Sequence, residues 1–348
     1  MIRDRVRIAV IGCGFYAENH LQSWVHLRDQ GADLVAVCDI DPEKAAAAGA
    51  RYGLPHFTDA AAMMDAARPD LVDIVTRHET HRALAELAIA KGIGVIVQKP
   101  FATTLGDCVA IVEVAHKAGI WLAVHENFRF QAPMQAVARV IASGEIGLPT
   151  WARIWFRTGF DVYKTQPYFH NEERLVIADV GIHVLDLARA FMGEVARISC
   201  ETQQRRTDIR AEDTATMLLR HINGGVSVVE ATYQSQRDPD PFPQTLLEIE
   251  GPDGTLIVDA GLTMRVTRDG QTRTEAIDAA LLPWTAHPWH VSQQGAFAAC
   301  THFLDRFRRG VAADTSGADN LRTFALVDAA YRAAQSHRAE APFVWAPA

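Results

Sequence analysis

Two short segments carry residue types that could do chemistry, and the first is a glycine turn. Gly12-Cys13-Gly14-Phe15-Tyr16-Ala17 follows an apolar run and opens a helix-like segment. In that setting a GxGxxA pattern cradles a pyrophosphate: Gly12 permits the tight turn, Gly14 lets the backbone approach the anion, and Ala17 keeps the helix close to the sheet. Phe15 and Tyr16 complete the turn, and the helix amides behind them face the negative charge. Asp39 closes the next apolar run, 25 residues beyond Gly14. An acidic side chain there accepts both ribose hydroxyl protons and repels a 2′-phosphate. No Arg or Lys follows directly, since Ile40, Asp41 and Pro42 come next, so NAD is expected rather than NADP. The plain alternative is that Asp39 caps the helix starting near Pro42, a task Asp41 could perform equally well.

The second group is a set of polar residues where a fold alone does not ask for them. Val97-Gln98-Lys99-Pro100 puts a lysine at the carboxyl end of a strand, where ligands of doubly wound sheets sit. In the segment Asp179 to Asp186, the residues Asp179, His183 and Asp186 stand at i, i+4 and i+7, on one helical face. Taken singly each has a bland explanation: a helix cap for Asp179, a satisfied helix histidine for His183, a surface lysine for Lys99.

The elements that must position these residues follow a clear rhythm. Nearly continuous apolar runs at Arg7 to Ile11, Leu34 to Cys38, Leu71 to Val75, Gly94 to Val97 and Trp121 to Val124 read as strands buried on both faces. Helix-like segments near 17–29, 42–51, 59–67, 80–91 and 105–118 alternate with them, with Asp59 and Thr80 as cap residues. This predicts an α/β Rossmann domain with a doubly wound parallel sheet over 1–126. After that a helix near 133–143 leads into strand-like runs at 150–157, 195–202, 213–220, 225–233, 244–250, 254–259 and 263–268, joined by turn residues such as Asn223-Gly224-Gly225 and Asp253-Gly254. The pattern reads as an antiparallel meander. Helices near 290–309 and 318–337 close a second, α+β domain with a large, mostly antiparallel sheet over 127–348. The proline-rich stretch Arg237 to Pro243 is an exposed loop.

Bulk properties narrow the function classes. The chain has 348 residues, 49% of them hydrophobic and 22% charged, which suits two globular domains rather than one. A net charge of −8 argues against a nucleic-acid backbone or an anionic membrane as partner. Five scattered cysteines without a CxxC indicate neither disulfides nor a zinc knuckle. No signal peptide or membrane-length apolar run is visible, and a cytoplasmic protein is expected. His78-Glu79-Thr80-His81 and His287-Pro288-Trp289-His290 both lack HExxH spacing, so no metal is expected. No G-x-S-x-G nucleophile elbow is present.

At the glycine turn, at Thr76 and His81, at Lys99-Pro100, at Asn127-Phe128-Arg129-Phe130 and at Asp179, His183 and Asp186, the chain resembles the Gfo/Idh/MocA oxidoreductases along nearly its whole length. The resemblance implies NAD-dependent oxidation of a hydroxyl on a small sugar, in a homo-dimer or homo-tetramer. It implies Lys99, Asp179 and His183 around the reacting hydroxyl, with His183 as base, Lys99 steadying the oxygen and Asp179 orienting substrate or imidazole. It places Thr76, His81, Gln98 and Lys99 with Gly12, Gly14, Phe15, Tyr16 and Asp39 at the cofactor, and Asn127 and Arg157 at the substrate. Two departures stand out: the usual Glu-Lys-Pro is here Gln98-Lys99-Pro100, which removes a negative charge beside the lysine, and the usual Thr-Pro-Asn is Thr76-Arg77-His78. The segments His125 to Phe130, Phe156 to Tyr163 and Gln166-Pro167-Tyr168 are similar to a branch that oxidises a branched pentose at its anomeric carbon to the lactone. Another polyol, such as an inositol or aldose, stays open as substrate. So does a non-catalytic NAD-binding regulator, which could do without the Lys99, Asp179 and His183 set.

Overall fold

A computed structural model describes residues 4–346, which fall into two compact units. The first holds the residues up to Asn127 together with Gly295–Leu321, and the second holds Phe128–Gln294 and Arg322–Val344.

The first unit is built on β1 (Val6–Ile11), β2 (Ala32–Cys38), β3 (His56–Phe57), β4 (Leu71–Ile74), β5 (Gly94–Gln98) and β6 (Leu122–His125), separated by α1 (Ala17–His26), α2 (Pro42–Tyr52), α3 (Ala60–Ala67), α4 (His78–Ala90) and α5 (Leu105–Ala118). The sheet order is β3-β2-β1-β4-β5-β6 and every pairing is parallel, as the continuous apolar runs required. Strand order reverses between β1 and β4, and that reversal opens the ligand crevice of such sheets at the strands' carboxyl ends. Helix starts are set by side chains: Asp41 accepts the N–H groups of Glu43 and Lys44, Asp59 that of Ala62, and Thr104 that of Asp107. Thr80 is not a cap. Its hydroxyl donates to the Arg77 carbonyl, so α4 begins at His78. The edge strand β6 is covered by the returning segment, where the Val124 N–H donates to the Thr315 carbonyl and the Thr315 hydroxyl donates back to the Val124 carbonyl. Covering an edge in this way removes a free row of backbone donors and acceptors.

The second unit contains α6 (Ala132–Ser143), β7 (Trp151–Arg157), α7 (Val162–Thr165), a π-helical turn at Ile177–Gly181 running into α8 (Ile182–Met192), then β8 (Val195–Gln203), β9 (Thr214–His221), β10 (Val226–Thr232), β11 (Leu246–Gly251), β12 (Gly254–Asp259), β13 (Thr263–Arg268) and β14 (Gln271–Ala276). The helices α9 (His290–Arg309) and α10 (Gly317–Ser336) follow in the chain, with the stretch Gly295–Leu321 belonging to the first unit. The eight strands are ordered β14-β13-β12-β11-β7-β10-β9-β8. This is not one meander. β7, first in the chain, lies between two of them and runs parallel to β10, with Val226 opposite Trp151. β7 alternates buried with half-buried residues, as a strand covered on one face does, and α8 packs on β7 and β10. Among the described residues no helix is long and apolar enough to cross a membrane.

Candidate active site

In the first unit the glycine turn has the geometry its sequence promised. Gly12 sits at φ +100°, and a Cβ there would lie 2.4 Å from the Val75 carbonyl oxygen, so no side chain fits. Gly14 faces open space, with nothing within 4 Å of where its Cβ would be. Ala17 is buried against the sheet and Phe15 is 75% exposed. Tyr16 precedes α1, its ring edge-on to His20. The Asp39 carboxylate braces this turn: Oδ2 accepts the Cys13 N–H at 2.7 Å and Oδ1 the Asp41 N–H at 2.9 Å. Each oxygen keeps a lone pair for a further donor. Because Asp41 caps α2, the capping alternative for Asp39 falls away. Burial, helped by the Asp39 charge, pushes the Cys13 thiol up to about 12, so it is a protonated packing group at neutral pH.

Behind the turn, His81 ties two carboxyl-end loops together. Its Nε2 lies 3.0 Å from the Thr76 carbonyl oxygen, and its Nδ1 lies 3.1 and 3.2 Å from those of Pro100 and Phe101. It has no exposed surface. In this position His81, expected near the cofactor, braces the two loops, its ring enclosed by backbone. Burial lowers its proton affinity, although the carbonyl contacts work the other way. Thr76 and Thr80 share a hydroxyl hydrogen bond at 2.7 Å on the surface above it. Lys99 follows β5 and is half-buried, its backbone N–H donating to the Gln98 side-chain oxygen at 2.6 Å. Asn127 lies just beyond β6 and is buried.

In the second unit the residues of the expected Asp179, His183 and Asp186 face each meet different partners. Asp179 lies in the π-helical turn, where it accepts a hydrogen bond from the hydroxyl of Tyr233, a residue just past β10. Such turns interrupt regular helices frequently at functional sites. Burial first, and Asp179 second, hold the Tyr233 phenol well above its ordinary range, so it remains a donor. His183 is 3% exposed and stacks flat on Phe128, the ring centroids 3.7 Å apart. Asp186 is fully buried and bound to Arg129, Thr323 and Arg189. It is a structural ion pair. Glu212 holds the start of this helix, accepting the N–H groups of Leu175 and Ile177 and the Tyr331 hydroxyl.

Arg157, expected at the substrate, ends β7. It pairs with Glu230 at 3.0 Å, as Arg153 does at 2.8 Å. Strand alternation puts it on the face opposite Phe156, whose ring lies 6.2 Å from that of Phe128. Tyr233, Phe128 and Glu212 were not anticipated as partners, because Tyr233 stands 54 residues from Asp179 and nothing local marks it.

The comparisons with known proteins agree with this architecture. Residues 6–126 match the model of the oxidoreductase family with NAD-binding Rossmann fold, Gfo/Idh/MocA, and residues 134–257 match the Gfo/Idh/MocA C-terminal domain. The chain is 44% identical over 332 residues to D-apiose dehydrogenase of Rhizobium rhizogenes, covering 95% of each chain. It is 43% identical over 350 residues to D-apiose dehydrogenase of Paraburkholderia graminis, covering 98% of this chain and 92% of the relative. A crystal structure of an oxidoreductase from Agrobacterium radiobacter, in complex with NAD+, L-tartaric acid and magnesium, superposes with a TM-score of 0.94 at 43% identity, covering 97% and 98% of the two chains. With a glycine turn, an acidic brace and both family domains in place, the chain belongs to the Gfo/Idh/MocA family of NAD-binding oxidoreductases.

Proposed function

We propose that this enzyme oxidises D-apiose at its anomeric carbon to the lactone. The observation that carries the reading is the 44% identity to a D-apiose dehydrogenase along 95% of both chains. Bound NAD supplies the hydride acceptor. The residues present fit that group: Gly14 has open space beside its backbone for a pyrophosphate, and each Asp39 oxygen, accepting one backbone N–H, keeps a lone pair for a ribose hydroxyl. His183 takes the proton of the anomeric hydroxyl as hydride leaves the same carbon, which conserves charge and yields the lactone carbonyl. Lys99 donates a hydrogen bond to the reacting oxygen and offsets its growing negative charge. Asp179, held by Tyr233, orients the sugar, and Asn127 offers a further hydroxyl partner. Phe128 keeps the imidazole plane of His183 fixed.

The direct test follows NADH absorbance with NAD or NADP against D-apiose, other aldoses and myo-inositol. Turnover of D-apiose with NAD is expected. Turnover confined to another polyol would overturn the substrate while keeping the chemistry, and cofactor binding without turnover on any of them would point to a regulator.

Asp39→Ala removes two charge-assisted acceptors and loosens the Cys13 turn. With hydrogen bonds to charged groups contributing about 1.5–3 kcal/mol, NADH affinity should fall roughly 10- to 100-fold. Fluorescence titration of NADH measures it, and a change smaller than two-fold would remove Asp39 from the site.

A further inference from the structure

We infer that Asp73 and His20 are positioning residues for Lys99, acting through the amide of Gln98; the inference rests on the catalytic reading of Lys99 given above. All four belong to the first unit. Asp73 and His20 have no exposed surface and Gln98 is 7% exposed. Asp73 lies on β4, His20 on α1 and Gln98 at the end of β5, so three elements converge behind the lysine.

The hydrogen-bond chain is self-consistent in one arrangement. The Lys99 backbone N–H can only donate, and it points at the Gln98 side chain at 2.6 Å, so the oxygen of that amide must face it. The NH₂ group of Gln98 then faces Nε2 of His20 at 3.0 Å, and since it can only donate, Nε2 must carry a lone pair. The ring proton is therefore on Nδ1, where it donates to Asp73 Oδ2 at 2.8 Å. Trp24 locks the far end, its indole N–H donating to the same oxygen at 2.7 Å. Protonating His20 at Nε2 would set two donors against each other. Flipping the Gln98 amide would do the same at the Lys99 N–H. The carboxylate thus selects the tautomer, the tautomer selects the amide orientation, and the amide holds the backbone at Lys99.

The surroundings support this role. His125 lies against His20 with ring centroids 4.0 Å apart, and burial pushes its imidazole down to about 3, so it backs the ring without bringing charge. His20, His125 and Cys300 bring donor atoms within 4.8 Å of one another, a spacing that could suit an ion. Both nitrogens of His20 are already committed, one to Asp73 and one to Gln98, so the relay explains the ring more fully than a metal does. The relay also explains why an amide can stand at position 98: it is the group able to accept from Lys99 and donate to a neutral His20 at once.

The test combines a substrate-free reading with a kinetic one. The chain has five lysines, so ¹⁵N-lysine labelling gives five backbone signals. In His20→Phe, which keeps a ring against His125 and removes the acceptor, the Lys99 signal should shift while those of Lys44, Lys91, Lys117 and Lys164 stay in place. A wild-type His20 with protonated Nε2, or an unmoved Lys99 signal, would overturn the inference whatever the sugar. Should His20→Phe fail to fold, Gln98→Met breaks the same chain at its next link.

With D-apiose and NAD, His20→Phe should lower kcat roughly 10- to 100-fold with NADH affinity nearly unchanged, the size expected when a reacting group is misplaced by about 1 Å. Added to Lys99→Ala it should cost nothing further. Fully additive losses would assign His20 a structural role instead. If Lys99→Ala alone leaves turnover intact, the catalytic reading of Lys99 fails, and the labelling experiment still decides the coupling.

Discussion

His183→Ala is expected to lower kcat with D-apiose by about 10²- to 10⁴-fold, the range that a positioned general base contributes. NADH binding should stay within about two-fold, because the family's cofactor-binding model covers 6–126 and His183 lies in the second unit. Lys99→Ala should cost roughly 10²- to 10³-fold, as removal of one donor to a developing oxyanion does. The two losses should be far from additive, since in the proposed reaction both act on one oxygen. Rapid-mixing measurement of NADH formation, with fluorescence titration of cofactor, separates these effects. His183 is buried and stacked on Phe128, so its removal also opens a gap. The melting temperature of each variant must be recorded, and His183→Gln, which fills the space without a comparable base, should be as inactive. Near wild-type kcat in His183→Gln would remove the imidazole from the reaction.

Arg129→Met is expected to destabilise the second unit by about 3–5 kcal/mol, the loss that follows when one partner of a buried ion pair is removed. Asp186 has no exposed surface, and Arg129 grips both its oxygens while Thr323 donates at 2.6 Å. At roughly 2–4 °C per kcal/mol for a unit of this size, the melting temperature should fall by about 6–20 °C. The pair should also show in the pH dependence. Burial by itself would raise the Asp186 proton affinity, but the Arg129 charge and hydrogen bonds, with Arg189 and Thr323, outweigh it and hold the carboxyl below its ordinary range. A carboxyl depressed in the folded state adds stability that is fully present above its unfolded pKa of about 3.9 and is lost as the pH falls through the lower folded value. The wild-type advantage over Asp186→Asn should therefore be complete at neutral pH and shrink in acid. An advantage that grows on acidification would contradict the ion-pair assignment.

Much of the first unit was legible along the chain because its determinants are local. Strands buried on both faces need nearly continuous apolar runs, and Val6–Ile11 and Leu71–Ile74 show them, broken only by Arg7 and Asp73. Helix starts need a short polar side chain next to free amides, which Asp41, Asp59 and Thr104 supply. Gly12 and Asp39 were legible for the same reason, since a strand, a tight turn and a helix in direct succession bring the turn to the end of the next strand. Local reading failed where two neighbours competed: Thr80 looked like a cap but bonds back to Arg77, and β14 is exposed at every residue, so no alternation marked it.

The sequence by itself determined the parallel sheet, the cofactor turn and the residue types offered for catalysis, because those depend on period, capping and spacing within a few residues. Only the tertiary structure decided which partner each polar residue meets. Sheet pairing inserted β7 beside β10 and set Tyr233 against Asp179, packing enclosed His81 in backbone, and strand alternation gave Arg157 to Glu230. The return of Gly295–Leu321 to cover β6 is likewise a matter of long-range packing. Contacts of this kind are fixed by register and burial across tens of residues, where no local pattern in the chain records them.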